Sequence, residues 1–270
     1  MATPIGNLKD VTLRALEVLA AADLIACEDT RVTARLLARH GIERPLAPYH
    51  EHNAAEARPK LLALLAAGKR VALVSDAGTP LVSDPGYKLV RAALDAGAAV
   101  FPLPGPSAAL AALAVAGLPT DRFLFAGFLP AKAKARADAL AELAGVKATL
   151  VFYEAAPRLA ESLAAMREAL GDRPAAVARE LTKLHEEVAR GTLGALARRY
   201  GDAGPPRGEI VVVVGPPGED APVAEGDLDA ALRAAMADMP LSEAAAAVAG
   251  ALGLPRRTVY ARALALRGGA

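Results

Sequence analysis

The sequence predicts an α/β protein in three parts. These are an N-terminal domain over residues 1–116 with a parallel sheet, a second α/β domain over 117–218 with a cleft between the two, and a small C-terminal helical extension. Three observations carry this expectation. Short apolar runs alternate with helical patterns up to about Val214, as in sheets covered by helices on both faces. Polar loops rich in Gly, Pro and Asp follow three of those runs, where ligands of parallel sheets collect. Beyond Gly215 a Pro/Gly/acid-rich stretch gives way to alanine-rich helical patterns with arginines near the end.

The elements follow in order. Residues 11–22 set Leu13, Leu16, Val18 and Leu19 at helical spacing, with Asp10 or Thr12 as cap. Leu24-Ile25-Ala26-Cys27 is a short buried strand. Residues 33–39 form a helix, with Gly41 just past its end. Residues 56–67 form another, 71–75 a strand, and 87–96 a helix closed by Gly97. Val100-Phe101 leads into Pro104-Gly105-Pro106 and a helix over 108–115. Gly117-Leu118-Pro119-Thr120-Asp121 marks the domain junction. In the second half, 123–128, 149–153, 176–179 and 210–214 read as extended, and 136–143, 158–170 and 193–200 as helical. Residues 219–240 read as a linker. The tail over 241–270 has a helix, the Gly253-Leu254-Pro255 turn and a second helix with Arg256, Arg257, Arg262 and Arg267, a helix-turn-helix shape. RNA contact and simple packing as a cap are both open for it.

Composition narrows the function classes. With 54% hydrophobic residues the chain can bury a substantial core. Lys+Arg 31 against Asp+Glu 30 leaves a net charge of +1, so any polyanion contact must come from local patches. Aromatic residues are 4% and Trp is absent, which argues against a stacking platform for single strands. The one cysteine, Cys27, excludes an internal disulfide and a cysteine zinc cluster. No secretory pattern and no run of about 20 apolar residues is present, and a cytoplasmic location is expected. The dinucleotide and triphosphate fingerprints and the hydrolase elbow are also missing.

Several strings carry chemistry. Ser75-Asp76-Ala77-Gly78-Thr79-Pro80-Leu81-Val82-Ser83-Asp84-Pro85-Gly86 leaves an apolar strand and is the first place to seek a ligand. In Cys27-Glu28-Asp29-Thr30-Arg31, two acids beside an arginine can orient a hydroxyl or phosphate; the alternative is a capped helix start. His50-Glu51-His52-Asn53 lacks residues to complete a metal's tetrahedral set, and no metal is expected. Lys132, Lys134 and Arg136 read as a phosphate-contacting patch or a solvated helix face. Pro104-Gly105-Pro106-Ser107 opens a helix whose free N–H groups suit a carboxylate or phosphate. Lys183, in the crowded 179–187 stretch, can ease a developing alkoxide.

These strings together resemble the small-subunit ribosomal RNA methyltransferase I family, built on the tetrapyrrole methylase fold. They are Thr3-Pro4-Ile5-Gly6-Asn7-Leu8, Cys27 to Arg31, Tyr49-His50-Glu51-His52-Asn53, Ser75 to Gly86, Pro102 to Ser107, Gly117 to Asp121, Gly127-Phe128-Leu129-Pro130 and Arg179 to Glu186. The resemblance implies S-adenosylmethionine as methyl donor, bound between two α/β domains. It also implies 2′-O-methylation of a cytidine in the decoding region of 16S ribosomal RNA, and a homodimer. By the same carry-over the donor site takes Pro4, Asp76, Ala77, Gly78, Ser107 and Ala108 from the first domain. Tyr153, Leu181, Gly208 and Ile210 join from the second. Glu28, Asp29 or the Lys183 region is the expected proton acceptor or alkoxide stabiliser, and Arg31, His50, Lys132, Lys134 and Arg136 the expected RNA contacts. Two departures stand out. Only Met1 and Ala2 precede Thr3, where the family carries a longer first strand, and Tyr153-Glu154-Ala155-Ala156-Pro157-Arg158 lacks the family's usual histidine. The competing readings are a small-tetrapyrrole methyltransferase on the same fold and a non-catalytic RNA-binding assembly factor.

Overall fold

The computed structural model describes residues 1–218, 225–252, 254 and 256–268. The chain divides into two compact units, Met1–Pro216 and Pro217–Ala270. The first unit begins with α1 (Leu13–Ala21), which the Thr12 hydroxyl caps by accepting from the Ala15 N–H at 3.1 Å. Then come β1 (Leu24–Cys27), α2 (Thr30–Arg39), β2 (Leu46–Pro48), α3 (Ala54–Ala66), β3 (Val71–Val74), α4 (Tyr87–Asp95) and α5 (Ala108–Ala116). The strands form a parallel sheet in the order β2-β1-β3. Central β1 is flanked on both sides, so Ile25, Ala26 and Cys27 are fully buried.

The second half holds β4 (Phe123–Phe128), α6 (Ala133–Leu143), β5 (Thr149–Ala155), α7 (Leu159–Leu170), β6 (Pro174–Arg179), β7 (Glu187–Thr192), α8 (Leu193–Ala203) and β8 (Glu209–Val214). Its sheet runs β4-β5-β8-β6-β7, with only β4 and β5 parallel. Alternation along β8 builds two cores. Ile210, Val212 and Val214 face α7 and α8 through Leu163, Met166, Leu193 and Leu196. Val211 and Val213 face α5 through Ala109, Ala112 and Leu113. Helix α5 was expected to belong with the first domain, yet its small residues pack on the second sheet. Alanine lets that helix approach closely, and each buried Val or Leu contributes about 1.5–3 kcal/mol.

Two strands escaped the sequence reading. β2 is three residues long and ends in proline, and β7 is a polar edge strand. The N-terminal segment forms an isolated bridge in place of a regular strand. The Met1 ammonium donates to the Leu73 carbonyl at 2.7 Å, and Thr3 forms a bridge with Gly78.

The second unit contains α9 (Glu225–Asp238), α10 (Leu241–Leu252) and α11 (Arg256–Gly268). α9 lies within the span expected to be a linker; residues 219–224, and Gly253 and Pro255 of the expected turn, fall outside the described residues. Leu228, Leu232, Val248, Val259 and Ala263 form its core. The Arg262 guanidinium makes two bonds to Asp229, at 2.7 and 2.8 Å. Among the described residues, no helix is long and apolar enough to cross a membrane.

Candidate active site

The strand-end loops converge. Thr3 and Gly78 exchange backbone bonds at 2.9 and 3.0 Å, and the Thr3 hydroxyl donates to the Ser75 carbonyl at 3.0 Å. The Thr79 hydroxyl reaches the Pro106 carbonyl at 3.2 Å, and the Ala2 N–H reaches that of Leu103 at 3.3 Å. The Asp76 carboxylate accepts from the Asp29 N–H at 2.8 Å, which ties the ends of β1 and β3 together. The loop after β6 closes from the other half. A Cβ on Gly6 would lie 2.5 Å from the Lys183 Cγ and 2.9 Å from the Thr182 hydroxyl oxygen.

These loops hold the unfavourable backbone. The non-glycine residues of positive φ among the described residues are Leu81 (74°), Ser83 (59°), Glu180 (51°) and Thr182 (66°). Such conformations cost about 1–3 kcal/mol each and cluster at functional sites. All four lie in the two loops that face each other's halves of the chain. Buried Thr182 Oγ1 has no hydrogen-bond partner and lies against Gly6.

Three carboxylates share the floor of this region. Burial, then the neighbouring Asp76, holds the Glu28 carboxyl above its ordinary range, with His50 pulling the other way. Burial, then the Glu28 charge, pushes Asp84 up to about 6. Tyr153 is also raised, first by burial, with the Asp84 charge adding to the rise and the Ala109 backbone opposing it. Phe125 and Phe128 pack edge-on against the Tyr153 ring at 4.8 and 5.5 Å between centroids. A carboxyl near 6 changes protonation close to neutral pH.

Residues 2–197 match the family model for Tetrapyrrole (Corrin/Porphyrin) Methylases, and residues 222–267 match that of the RsmI C-terminal HTH domain. The chain is 58% identical over 268 residues to the ribosomal RNA small subunit methyltransferase I of Mesorhizobium japonicum, covering 99% of this chain and 91% of that one. The protein of the same name from Erythrobacter litoralis is 55% identical, covering 99% and 94%. The chain belongs to the ribosomal RNA small subunit methyltransferase I family. Among solved structures, the cobalt precorrin-4 methyltransferase shares the fold, with a TM-score of 0.60 at 19% identity over 80% of this chain and 92% of that one.

Seen as a member of the methyltransferase I family, the chain distributes its expected site residues unevenly. Glu28, Asp76, Gly78 and Pro4 lie in the converging loops, with half-exposed His50 facing Glu28. Ala77 is exposed beside them, and Ala108 opens α5. Ser107 caps α5, its hydroxyl accepting from the Leu110 N–H at 3.5 Å. Leu181 and Ile210 point into the cores, so only their backbones can meet a ligand. Gly208, at φ +101°, backs onto Glu180, where a side chain would collide.

Three expectations change. Arg136 is no RNA contact: it is 2% exposed and binds the Glu161 carboxylate and the Ala131 carbonyl, fastening α6 to α7. Asp29 is a poor proton acceptor. It caps α2 and grips Arg31, and those bonds hold its carboxyl down to about 2. Lys183 is not a free cation. Burial disfavours its charge, but bonds to Glu180 and Glu209, both 2.8 Å, outweigh this and raise it. Arg31, Lys132 and Lys134 are exposed, Arg31 while paired with Asp29. The sequence reading missed Asp84 and Thr182. The Ser83-Asp84-Pro85-Gly86 turn at a strand end was the available signal for the former.

Proposed function

We propose that the protein transfers a methyl group from S-adenosylmethionine to the ribose 2′-oxygen of a cytidine in the decoding region of 16S ribosomal RNA, in the cytoplasm. The observation that carries this reading is membership of the methyltransferase I family, together with strand-end loops from both halves of the chain that meet where Gly6 abuts Lys183 and Thr182. The donor fits the residues present. It is a sulfonium cation, and the Glu28–Asp76–Asp84 group is an excess of negative charge that a cation would relieve. The N-terminus of α5 offers a polar contact for its amino-acid end.

When bound, the donor supplies an already activated methyl. The protein's own work is alignment and proton removal. Asp84, with Glu28 beside it, accepts the ribose hydroxyl proton. Tyr153, packed edge-on by Phe125 and Phe128, borders the site. Lys183 holds Glu180 and Glu209 together and its stem covers Gly6, closing the loop junction. Arg31, Lys132 and Lys134 hold RNA phosphates. A second copy of the chain is the expected partner. Leu13 and Phe101 are large apolar side chains left 80% and 78% exposed, surface that such a partner would cover.

Mapping ribose methylation on 16S ribosomal RNA from cells lacking the protein tests the reading. Loss of one 2′-O-methyl cytidine is expected; an unchanged map would contradict it. A narrower expectation follows from the loop junction. Gly6→Ala must displace the Lys183 stem, so donor affinity by calorimetry should fall about tenfold or more, as misplacements of about 1 Å cost. Unaltered affinity would detach the Thr3–Asn7 loop from the donor site.

A further inference from the structure

Helix α11 stands apart from the rest of its unit in charge. Every acidic residue of the C-terminal unit precedes Ala244, whereas Arg256, Arg257, Arg262 and Arg267 all follow. Arg262 is engaged by Asp229 in the unit's own packing. Arg256, Arg257 and Arg267 are exposed, as are Tyr260 (39%) and Leu264 (50%). Arg257, Tyr260, Leu264 and Arg267 are spaced by three, four and three, so they form one stripe along the helix. Val259 and Ala263, about 100° around the helix from the middle of that stripe, are fully buried in the unit's core. The helix is therefore seated by one face and presents a cationic face with an aromatic ring.

We propose that this face of α11 is a second grip on the RNA backbone, carried by the C-terminal unit rather than by the catalytic one. The inference rests on the ribosomal RNA reading for the identity of the RNA. Three exposed guanidiniums with no acid on the same helix match a polyanion, and Tyr260 offers a ring on which an unpaired base or ribose can pack. In DNA-binding helix-turn-helix units the second helix faces the nucleic acid, and α11 occupies the corresponding place after α10. A protein partner would be better matched by a larger apolar stripe than Leu264 alone provides.

The test uses the full chain and protein-free small-subunit ribosomal RNA, with affinity followed across salt. Arg256→Gln/Arg257→Gln removes two phosphate contacts. The slope of log affinity against log salt should fall by about 1.5, and affinity near ~0.1 M salt about tenfold. Arg267→Gln should give roughly half that slope change. Arg233→Gln, an exposed arginine on α9, should leave the slope unaltered. In methyl transfer the double variant should raise KM for small subunits and keep kcat. Equal slopes in wild type and double variant would overturn the proposal. So would an equal drop in Arg233→Gln, or a loss seen with intact subunits and not with protein-free RNA, which would mean a ribosomal protein is the partner. Wild-type RNA binding without methyl transfer would instead strike the catalytic reading and leave this surface standing.

Discussion

Asp84→Asn is expected to slow single-turnover methyl transfer about 10²–10⁴-fold at saturating donor and RNA, the usual worth of a positioned general base. The pH profile carries more information than the rate. Asp84 titrates near 6 in the free protein because burial and the Glu28 charge oppose its ionisation. The rate at low substrate should therefore climb as pH rises through about 6 and level off above it. In Asp84→Asn that limb should vanish. Glu28→Gln removes the like charge, so the limb should persist and move to lower pH. The two carboxyls interact, and the observed values belong to the pair. Stability must move the other way. A carboxyl raised in the folded state favours folding at low pH, and that contribution is lost as pH rises through about 6. Asp84→Asn should thus weaken the decline in stability between about pH 4 and pH 6 while abolishing activity, which separates a chemical role from a structural one. A variant within about threefold of wild type, its acid limb intact, would remove Asp84 from the mechanism.

Arg158→Ala is expected to cost about 3–5 kcal/mol, the penalty for leaving a buried charge without its partner. The Glu154 side chain is wholly buried at the end of β5. It takes the Arg158 guanidinium at 2.6 Å, the Ala155 N–H at 2.7 Å and the Ser162 hydroxyl. Arg158 also donates to the Leu129 carbonyl at 3.2 Å, which joins the end of β4 to the start of α7. Tyr153 precedes Glu154 on the strand, so losing this lock should loosen the pocket wall as well as the core. Thermal unfolding of the 1–216 unit should fall by about 10 °C. The double change Glu154→Leu/Arg158→Leu removes both charges and should cost less than Arg158→Ala alone. A single-variant loss below about 1 kcal/mol would show that the pair is solvated.

The fold was legible where pattern and caps agreed. Thr12 before Leu13, the apolar runs of β1, β3 and β8, and Gly117 after α5 all mark element ends that the structure keeps. Pairing direction was not legible, because an apolar run such as Ile210–Val214 reads the same whether its neighbours run with it or against it. β7 was hidden because Glu187 and Arg190 at a sheet edge resemble a solvated loop. α9 was hidden behind the prolines and acids that precede it. At the site, the strand-end loops were legible as a group, since Gly, Pro and Asp after a buried strand leave few alternatives. Individual roles were not. Arg136 and Lys134 look alike in sequence, yet only Arg136 falls on the inward side of α6, opposite Glu161. Asp29 and Glu28 are adjacent acids, and the cap geometry of α2 alone decides that Asp29 binds backbone while Glu28 stays beside Asp84. Asp84 sits eight residues past Asp76, and only the folded loop returns it to the same floor.

The measurement that bears most directly on the account is single-turnover transfer of a labelled methyl from S-adenosylmethionine to small ribosomal subunits that lack the modification. Wild type should place one label per subunit on a cytidine 2′-oxygen, with a rate that rises through about pH 6, and Asp84→Asn should bind the RNA and transfer almost none. Label on a base, label on no RNA at all, or equal rates in the two proteins would contradict it.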